Sequence, residues 1–426
     1  MSAPRRVHVI GAGLAGLAAS LRLAANGVAV VLHEAARQAG GRCRSYRDAT
    51  LGCRIDNGNH LLIAGNHASM DYLRRIGTEA SLIGPAQAEF PFLDLDSGER
   101  WTLRPGAGKL PWWIFQRARR VAGTGAFDYL SGLRLVGAPA DATVADRLDP
   151  RTVIFRRLWQ PLAIAGLNTE TEQGAAVLLG RLLRESFGAG GGACRPLVPI
   201  EGLSESLVEP ALDRLHALGA ELRFGSRLRA LEFAGERVAA LSFDEGGEPL
   251  AEDEAAVLAV TAPVAARLVP ELSAPDEFRA IVNAHYRVAA PADAPLFVGL
   301  IGGTSEWVFR KREVLSVTIS AADRLVDAPA EELAAKLWPE VRRAYQLGDA
   351  PLPPWQIVKE RRATFAATPA QQRRRPGAAT QWRNLVLAGD FTDTGLPATI
   401  EGAIRSGDRA AAQLLGGALA LQAKGA

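Results

Sequence analysis

Short apolar runs alternate with one longer Ala/Leu-rich stretch in the first 34 residues. Residues 7–10 and 28–32 are short, mostly apolar runs of the kind that form buried strands, and residues 14–26 have the composition of a helix that ends at Gly27. A strand, a helix and a second strand of these lengths predict a βαβ unit. We therefore expect this segment to open an α/β fold with a parallel sheet.

More apolar runs in the middle and late parts of the chain predict further strands. Residues 384–388 form one such run, and the Ala/Leu-rich residues 404–415 after it predict a helix. The mid-chain runs are short and are separated by glycine and acidic turns; they are residues 219–224, 229–233, 238–243 and 256–260. The sheet is therefore expected to be assembled from segments that lie far apart in the sequence.

The predicted architecture is α/β, with two domains of interrupted sequence. The first domain takes residues 1–75, 200–262 and 376–426, and a second, α+β domain takes residues 76–199 and 263–375. The second domain holds most of the aromatic residues, so a lipophilic ligand would suit it.

Composition excludes several classes of protein. In 426 residues, 48% are hydrophobic, which excludes extensive disorder, and 49 Lys+Arg against 46 Asp+Glu leave a net charge of +3, which indicates no nucleic-acid partner. The 3 cysteines and 6 histidines have no spacing typical of a disulfide framework or a metal site, so no metal is predicted. No stretch is apolar enough to cross a membrane. A cytoplasmic protein is expected, and the apolar run after Arg6 is predicted to be mature protein rather than a signal peptide, because glycines interrupt it.

The turn between the first strand and the first helix carries a GxGxxG motif. Gly11 suits the tight turn, Gly13 allows the backbone to approach a pyrophosphate, and Gly16 allows the helix to pack closely on the strand. Glu34 ends the second strand about 20 residues further on, where a carboxylate accepts hydrogen bonds from an adenosine ribose. The motif predicts that residues 1–75, 200–262 and 376–426 form a Rossmann-type nucleotide-binding domain, which leaves the second domain for the substrate. It does not by itself distinguish NAD from FAD.

A second glycine-rich segment distinguishes the two cofactors. Gly40, Gly41 and Arg42 follow Glu34, and an Asp-x-Gly turn begins at Asp56. This combination resembles the amine oxidase and phytoene desaturase group of flavoproteins. The resemblance implies FAD, with Gly-Gly-Arg along the pyrophosphate and the later turn beside the isoalloxazine ring.

The end of the chain resembles the same flavoproteins, in which Gly-Asp and then Pro-x-Thr-x-x-Gly-Ala precede a last helix. The resemblance implies that Asp390 binds ribityl or phosphate oxygens and that residues 398–403 line the ring, while a mid-chain hairpin holds the adenine through the backbone of Leu228. The predicted FAD contacts are Gly11, Gly13, Leu14, Ala15, Gly16, Glu34, Ala35, Gly40, Gly41, Arg42, Gly58, Asn59, His60, Leu228, Gly389, Asp390, Ala398, Thr399, Ile400 and Ala403.

Two further segments, residues 56–62 and 159–169, are similar to those of the hydroxysqualene dehydroxylases of bacterial hopanoid synthesis. The resemblance covers nearly the whole chain and implies the reductive conversion of hydroxysqualene to squalene. His60 and Asp56 are candidates for the acid or for a polar orienting group. Trp159, Asn168 and Thr169 are candidates for substrate contact, although a capping or loop role also explains the last two.

Three other functions use the same motifs. A carotenoid or phytoene-type desaturase would remove hydride from a polyisoprenoid, and an amine oxidase would place an aromatic pair at the ring, where this sequence has Leu396. A flavin-bearing binding module would show no turnover.

One segment suggests a membrane contact. Residues 109–120 place Trp112 and Trp113 beside a cluster of arginines, as interfacial helices do, although a helix with a solvated basic face also fits. Peripheral contact with the cytoplasmic membrane and with upstream enzymes of the squalene pathway is expected. The run 373–375 is predicted to be a solvated loop.

Overall fold

The structure is a computed structural model that describes residues 3–416. Its strands, in chain order, are β1 (Arg6–Ile10), β2 (Ala29–Glu34), β3 (Ser45–Arg47), β4 (Arg54–Asp56), β5 (Leu62–Ile63), β6 (Leu82–Ile83), β7 (Phe90–Asp94), β8 (Arg100–Leu103), β9 (Pro196–Pro199), β10 (Glu221–Phe224), β11 (Leu228–Ala234), β12 (Arg237–Phe243), β13 (Gly246–Pro249), β14 (Glu254–Leu258), β15 (Phe278–Arg287), β16 (Phe297–Ile301), β17 (Trp307–Lys311), β18 (Val314–Ile319), β19 (Trp355–Phe365) and β20 (Leu385–Leu387). Its α-helices are α1 (Leu14–Ala25), α2 (His67–Ile76), α3 (Val144–Arg147), α4 (Gln160–Leu167), α5 (Ala176–Glu185), α6 (Glu209–Ala217), α7 (Ala262–Leu268), α8 (Ala330–Tyr345), α9 (Pro369–Arg373) and α10 (Ile400–Leu414).

A five-stranded parallel sheet forms the predicted nucleotide-binding part. Its strand order is β10-β2-β1-β14-β20, so the βαβ unit at the start of the chain pairs with strands from the middle and the end. Strands β1 and β14 are almost wholly buried, as in parallel sheets that are covered on both faces. The α/β class predicted from the apolar runs is confirmed.

Helices α1, α2, α6 and α10 cover one face of this sheet. The α1–α10 contact is especially close, because a Cβ on Gly407 of α10 would lie 2.1 Å from the carbonyl oxygen of Ala15. The hairpins β11-β12-β13 cover the opposite face with a smaller apolar cluster. The strands expected between residues 219 and 260 are present, and β13 is a strand that the sequence pattern did not indicate.

A seven-stranded mixed sheet forms the second part, with the order β19-β15-β18-β17-β16-β7-β8. Its neighbouring strands are antiparallel except for the parallel pair β16 and β7. Helix α8 covers one face, and the helices and turns between Trp113 and Ala176 cover the other with an aromatic-rich cluster. The exact division of the chain into two domains stays a prediction, and residues 1–2 and 417–426 of the expected first domain lie outside the described residues.

Residues 109–120 do not form the expected α-helix. They form two 3₁₀ turns, Trp112–Phe115 and Arg117–Arg119, and a third 3₁₀ segment follows at Phe127–Leu135. Pro111 caps the first turn, and the backbone of Gln116 is extended between the first two, so no continuous helix can form.

Candidate functional site

The glycine-rich turn after β1 is shaped to leave space on one side. Gly11 has a φ of +108°, and a Cβ there would lie 2.4 Å from the carbonyl oxygen of Ala259. A Cβ on Gly16 would lie 1.8 Å from the oxygen of Gly11, whereas one on Gly13 would meet nothing within 4 Å. The first and third glycines are therefore required by packing, and the second borders open space at the N-terminus of α1.

The Gly40–Gly41 segment runs beside this turn. The N–H of Gly40 donates to the carbonyl oxygen of Ala12 over 2.8 Å, and a Cβ on Gly41 would lie 3.6 Å from the Cα of Gly13. The two glycine-rich segments predicted to line a pyrophosphate are thus in contact. Leu14 and Ala15 are buried in the first turn of α1.

Glu34 is the last residue of β2 and lies beside the glycine-rich turn. Its carboxylate accepts hydrogen bonds of 2.8 Å from the N–H groups of Ala12 and Ala36, which fixes its orientation. Ala35 is exposed beside it. The N–H of Ser226 donates to the carbonyl oxygen of Glu34, so the strand that begins at Leu228 starts next to the predicted ribose position.

Arg42 and Asp390 meet although they come from opposite ends of the chain. A guanidinium nitrogen of Arg42 donates to Oδ1 of Asp390 over 2.7 Å, and another donates to the carbonyl oxygen of Ala363. The carboxylate of Asp390 raises the pKa of the Arg42 guanidinium further above its ordinary value. Together with Phe278 and Phe391, the pair lines a cleft between the two sheets.

Arg375 corrects the expectation of a solvated loop at residues 373–375. Its side chain is fully buried and donates to four carbonyl oxygens of the loop after Gly389, those of Asp390, Phe391, Thr392 and Leu396. Burial lowers its pKa to about 10, so it remains charged at neutral pH. Neighbouring arginines in a run look alike in sequence, and only the tertiary fold separates this one from the exposed Arg373.

The N-terminus of α10 follows the same loop. The Thr399 hydroxyl accepts the N–H of Gly402 over 3.0 Å and caps the helix, while Ala398, Ile400 and Ala403 are half-buried around it. Glu401 faces away from the cleft, where its carboxylate accepts the N–H groups of Ala68 and Ser69 at the start of α2.

The turn at residues 56–60 lies between the two sheets. Asp56 is buried, forms an ion pair with Lys311 at the end of β17, and accepts hydrogen bonds from the Ser45 hydroxyl and the Leu203 N–H. Burial alone would raise the pKa of Asp56, but Lys311 and these hydrogen bonds hold it below its usual value. Asp56 is therefore ionised and orients its neighbours.

His60 follows in the same turn and is half-buried. Burial, with a smaller contribution from the charge of Lys311, lowers the pKa of His60 to about 4. The imidazole is therefore neutral at pH 7. Gly58 and Asn59 beside it face β15 and β18 of the seven-stranded sheet.

Trp159, Asn168 and Thr169 lie away from this turn. Asn168 has a φ of +50° at the end of α4, and its side chain binds Thr364 and the N–H of Ala321. Thr169 accepts the N–H of Ala367, and Trp159 donates to the hydroxyl of Ser131. Because their polar atoms bind the chain itself, these contacts favour a structural role.

Lys311, Asn283 and His285 are residues at the site that the sequence did not indicate. All three lie on strands of the seven-stranded sheet. Lys311 forms an ion pair with Asp56, and Asn283 donates to the carbonyl oxygen of Asn57. Burial lowers the pKa of His285, on which the charges of Asp56 and Lys311 also act. Their strands carry no motif, and the turn is more than 200 residues away in sequence. Only the pairing of one sheet with a distant loop reveals them.

An exposed apolar surface lies on the far side of the aromatic cluster. We name it the apolar rim; seven of its large side chains are between 48% and 73% exposed, namely Leu110, Trp112, Phe115, Phe127, Leu130, Leu133 and Val136. Trp113 is instead buried against Tyr129. Lys109, Arg117 and Arg134 are exposed among these residues.

Three comparisons relate the chain to known proteins. The model of the flavin-containing amine oxidoreductase family matches residues 14–291 and 300–415. A hydroxysqualene dehydroxylase of Rhodopseudomonas palustris is 55% identical over 410 residues, covering 96% of this chain and 97% of that protein. One of Sinorhizobium fredii is 48% identical over 408 residues, covering 96% and 98%. A solved double mutant of putrescine oxidase matches with a TM-score of 0.70 over 97% of this chain and 100% of that chain, at 15% identity, which shows likeness of fold alone.

Proposed function

The chain belongs to the family of flavin-containing amine oxidoreductases, and we propose that within this family it removes the hydroxyl group of hydroxysqualene to give squalene. The observation that carries the proposal is the similarity to hydroxysqualene dehydroxylases along nearly the whole chain. The chain is a flavin-dependent oxidoreductase, and its cofactor is FAD.

The residues of the cleft fit this cofactor. The open space beside Gly13 would accept the pyrophosphate at the N-terminus of α1, where backbone N–H groups and the helix dipole favour an anion. Glu34 retains free lone pairs for the adenosine ribose, and Arg42 would meet a phosphate with its planar fork. Asp390 and the start of α10 would hold the ribityl chain and the ring.

The reaction replaces a carbon–oxygen bond with a carbon–hydrogen bond. The alcohol takes up a hydride and a proton and releases the hydrocarbon and one water molecule. When bound in its reduced form, FAD supplies the hydride. The chain must supply the proton, exclude bulk water and hold the hydroxylated carbon at reacting distance.

The turn at residues 56–60 is suited to the polar part of this task. Asp56 is tied to Lys311 and is ionised, so it serves as an orienting group and not as the acid. His60 is neutral at pH 7, so it would serve as a relay, passing the proton of one ring nitrogen to the leaving hydroxyl while the other ring nitrogen takes a proton up. The aromatic-rich cluster around Phe297, Trp307 and Phe309 lies on the face of the seven-stranded sheet that meets this turn, and it would help to keep a substrate carbocation away from water.

We also propose that the apolar rim docks the protein on the cytoplasmic face of a membrane that carries the substrate. A cluster of exposed large apolar side chains marks an interaction surface. The exposed basic residues within the apolar rim complement an anionic leaflet. Among the helices of residues 3–416, none combines the length and apolarity needed to cross a bilayer. Contact with upstream enzymes of the squalene pathway stays a prediction from the resemblance.

Product analysis tests the proposed reaction. The purified yellow protein is incubated anaerobically with a chemical reductant and detergent-dispersed hydroxysqualene, and in parallel without reductant and with squalene. Squalene formed from the alcohol supports the proposal. A dehydrosqualene formed from squalene, with no conversion of the alcohol, would overturn it in favour of a desaturase. Single turnover of His60→Ala with prereduced FAD tests His60, since a wild-type rate removes it from the proton transfer.

A further inference from the structure

One arginine at the cleft has no partner within the described part of the chain. Arg362 of β19 is exposed, and within residues 3–416 its guanidinium forms no ion pair and no hydrogen bond. The guanidinium carbon lies 5.9 Å from the centroid of the Phe278 ring, a distance at which a cation and an aromatic face attract each other. The neighbouring Arg361 is also exposed, but it forms an ion pair with Asp327 over 2.7 Å. Arg362 therefore differs from Arg361 in having no carboxylate partner among these residues.

A β-bulge places Arg362 beside Arg42. In the pairing of β19 with β15, residues 361–363 lie opposite the single residue Ala280. Such a bulge re-aims side chains and takes backbone groups out of the strand pairing, and it is common next to functional sites. The carbonyl oxygen of Ala363, within the bulge, accepts a 2.7 Å hydrogen bond from the guanidinium of Arg42. Arg362 therefore adjoins the residue that binds Arg42.

Arg362 and Arg42 also line the same cleft between the two sheets. Among the described side chains that line it, these two arginines share the single carboxylate of Asp390, so the cleft has an excess of one positive charge. Thr261 lines the cleft too, and its hydroxyl forms no capping hydrogen bond although it stands at the N-cap position of α7. Guanidinium and hydroxyl groups of this kind bind the oxygens of an anion.

The cleft lies at the edge of the parallel sheet where the glycine-rich turn begins. The N–H of Ala259 donates to the carbonyl oxygen of Ile10 over 2.8 Å, and that of Ala388 donates to the carbonyl oxygen of Leu258 over 3.1 Å. Strands β1, β14 and β20 therefore end side by side, and the glycine-rich turn, the start of α7 and the loop before α10 follow them. Ligands of parallel sheets bind at these ends. A cation in the cleft is thus near the position proposed for the pyrophosphate of FAD.

The charge of this pyrophosphate favours a second cation. The pyrophosphate of FAD carries two negative charges, whereas Arg42 already shares its positive charge with Asp390. The N-terminus of α1 contributes the equivalent of only about half a positive charge. With Arg362, the number of guanidinium groups at the cleft is two, which matches the two phosphates.

We propose that Arg362 and Arg42 together bind the pyrophosphate of FAD, so that β19 of the seven-stranded sheet supplies a cation to a site otherwise built on the parallel sheet. This inference rests on the placement of FAD in the proposed function. It assigns a contact between the cofactor and the second sheet, and it makes the retention of FAD dependent on how the two sheets pack. Because Arg362 is exposed, salt should screen its attraction for the phosphates.

Titration of the apoprotein with FAD at low and high KCl tests this contact, with Arg361→Met as the matched control. Arg362→Met should weaken FAD binding about 10-fold at low salt, because it removes a hydrogen bond between two charged groups. Its affinity should also depend less on KCl than that of the wild type, since one screened cation is gone. Arg362→Lys keeps the charge but not the planar fork, so it should lose less affinity and retain the salt dependence. Arg361→Met should match the wild type in both respects.

A general loosening of β19 would lower the affinity without changing its dependence on KCl, and this result would overturn the inference. Equal losses in Arg362→Met and Arg361→Met, or wild-type affinity in Arg362→Met, would overturn it as well. The titration needs no substrate, so a failure to form squalene contradicts the proposed reaction alone. If Arg42→Met weakens FAD binding and Arg362→Met does not, only the role of Arg362 fails, whereas wild-type affinity in both variants contradicts the placement of FAD.

Discussion

Arg42 donates a 2.7 Å hydrogen bond to Oδ1 of Asp390, and this contact joins the second glycine-rich segment to the loop before the last helix. The contact places a cation and a carboxylate at the same cleft. In the proposed placement of FAD, Arg42 would exchange this carboxylate for a phosphate, and Asp390 would keep acceptors for ribityl hydroxyls.

Replacing Arg42 by methionine should weaken FAD binding about 10- to 100-fold, because a hydrogen bond to a charged group contributes about 1.5–3 kcal/mol. Titration of the apoprotein with FAD, followed by quenching of flavin fluorescence, measures this loss. Arg44→Met is the control, because within residues 3–416 the Arg44 side chain donates only to the carbonyl oxygen of Gly41. Equal affinities in the two variants would contradict the role assigned to Arg42.

Gly13 and Gly16 should respond differently to alanine. A methyl group on Gly13 meets no protein atom, and its φ of −75° suits alanine, so the thermal midpoint of the Gly13→Ala apoprotein should change by less than about 2 °C. The same methyl group would occupy the space that we propose for the pyrophosphate, so FAD affinity should fall at least about 10-fold. Gly16→Ala should instead lower the thermal midpoint, since its Cβ would collide with the oxygen of Gly11. Normal FAD binding by Gly13→Ala would argue against the placement of the cofactor.

Arg375→Met should destabilise the protein by about 3–5 kcal/mol, because it removes a buried charge that satisfies four carbonyl oxygens. The exposed neighbour Arg373 provides a matched control, and Arg373→Met should change stability by less than about 0.5 kcal/mol. Urea unfolding followed by tryptophan fluorescence measures both. Similar midpoints for the two variants would show that the loop after Gly389 does not depend on Arg375.

Stability should fall as the pH is lowered from 7 to 5. Burial lowers the pKa of His33 to about 3 and that of His285 to about 4, whereas both are near 6.5 in the unfolded chain. Between these values the unfolded state binds more protons than the folded state, so the contribution is complete above pH 6.5 and is lost towards pH 4. Each histidine should cost about 2 kcal/mol at pH 5.

Urea unfolding at several pH values tests this, with His285→Gln as the comparison. The stability of the variant should depend less on pH between 5 and 7 than that of the wild type. If the free energy of unfolding changed equally with pH in both proteins, the fold would not be holding His285 neutral.

Trp112→Glu with Phe127→Glu should reduce binding to anionic lipid vesicles at least about 10-fold, because both side chains are exposed in the apolar rim and would lose their transfer into the interface. Vesicle sedimentation measures the bound fraction. Leu352→Glu is the control, since Leu352 is exposed elsewhere on the surface. Partitioning that is unchanged in the double variant, or equally reduced in the control, would discard membrane docking through this surface.

Local sequence patterns correctly predicted those parts of the fold that depend on residues close together in the sequence. The GxGxxG turn joins a strand to a helix, so Gly11, Gly13 and Gly16 could be assigned distinct roles from their spacing, and the α/β class followed from the apolar runs. The contact of Asn283 with the turn at residues 56–60 could not be found in this way. Asn283 and His285 alternate with buried apolar residues as in any half-buried strand, and what they face depends on the packing of a turn far away in sequence.

The apolar rim shows a similar limit. Aromatic residues beside arginines indicated a surface segment, but Trp112 is exposed whereas Trp113 is buried against Tyr129. Phe127 and Leu133 belong to the third 3₁₀ segment, Phe127–Leu135, and nothing in the sequence marks them as neighbours of Trp112.

The close contact between Gly407 and Ala15 has a consequence for synthesis on the ribosome. Helix α1 emerges early in translation, but the helix that packs on it is made only after residue 400, and strand β20 at the edge of the parallel sheet arrives just before. Until α10 is made, one face of the parallel sheet is only partly covered. We therefore expect the protein to bind its cofactor after synthesis of the chain is finished.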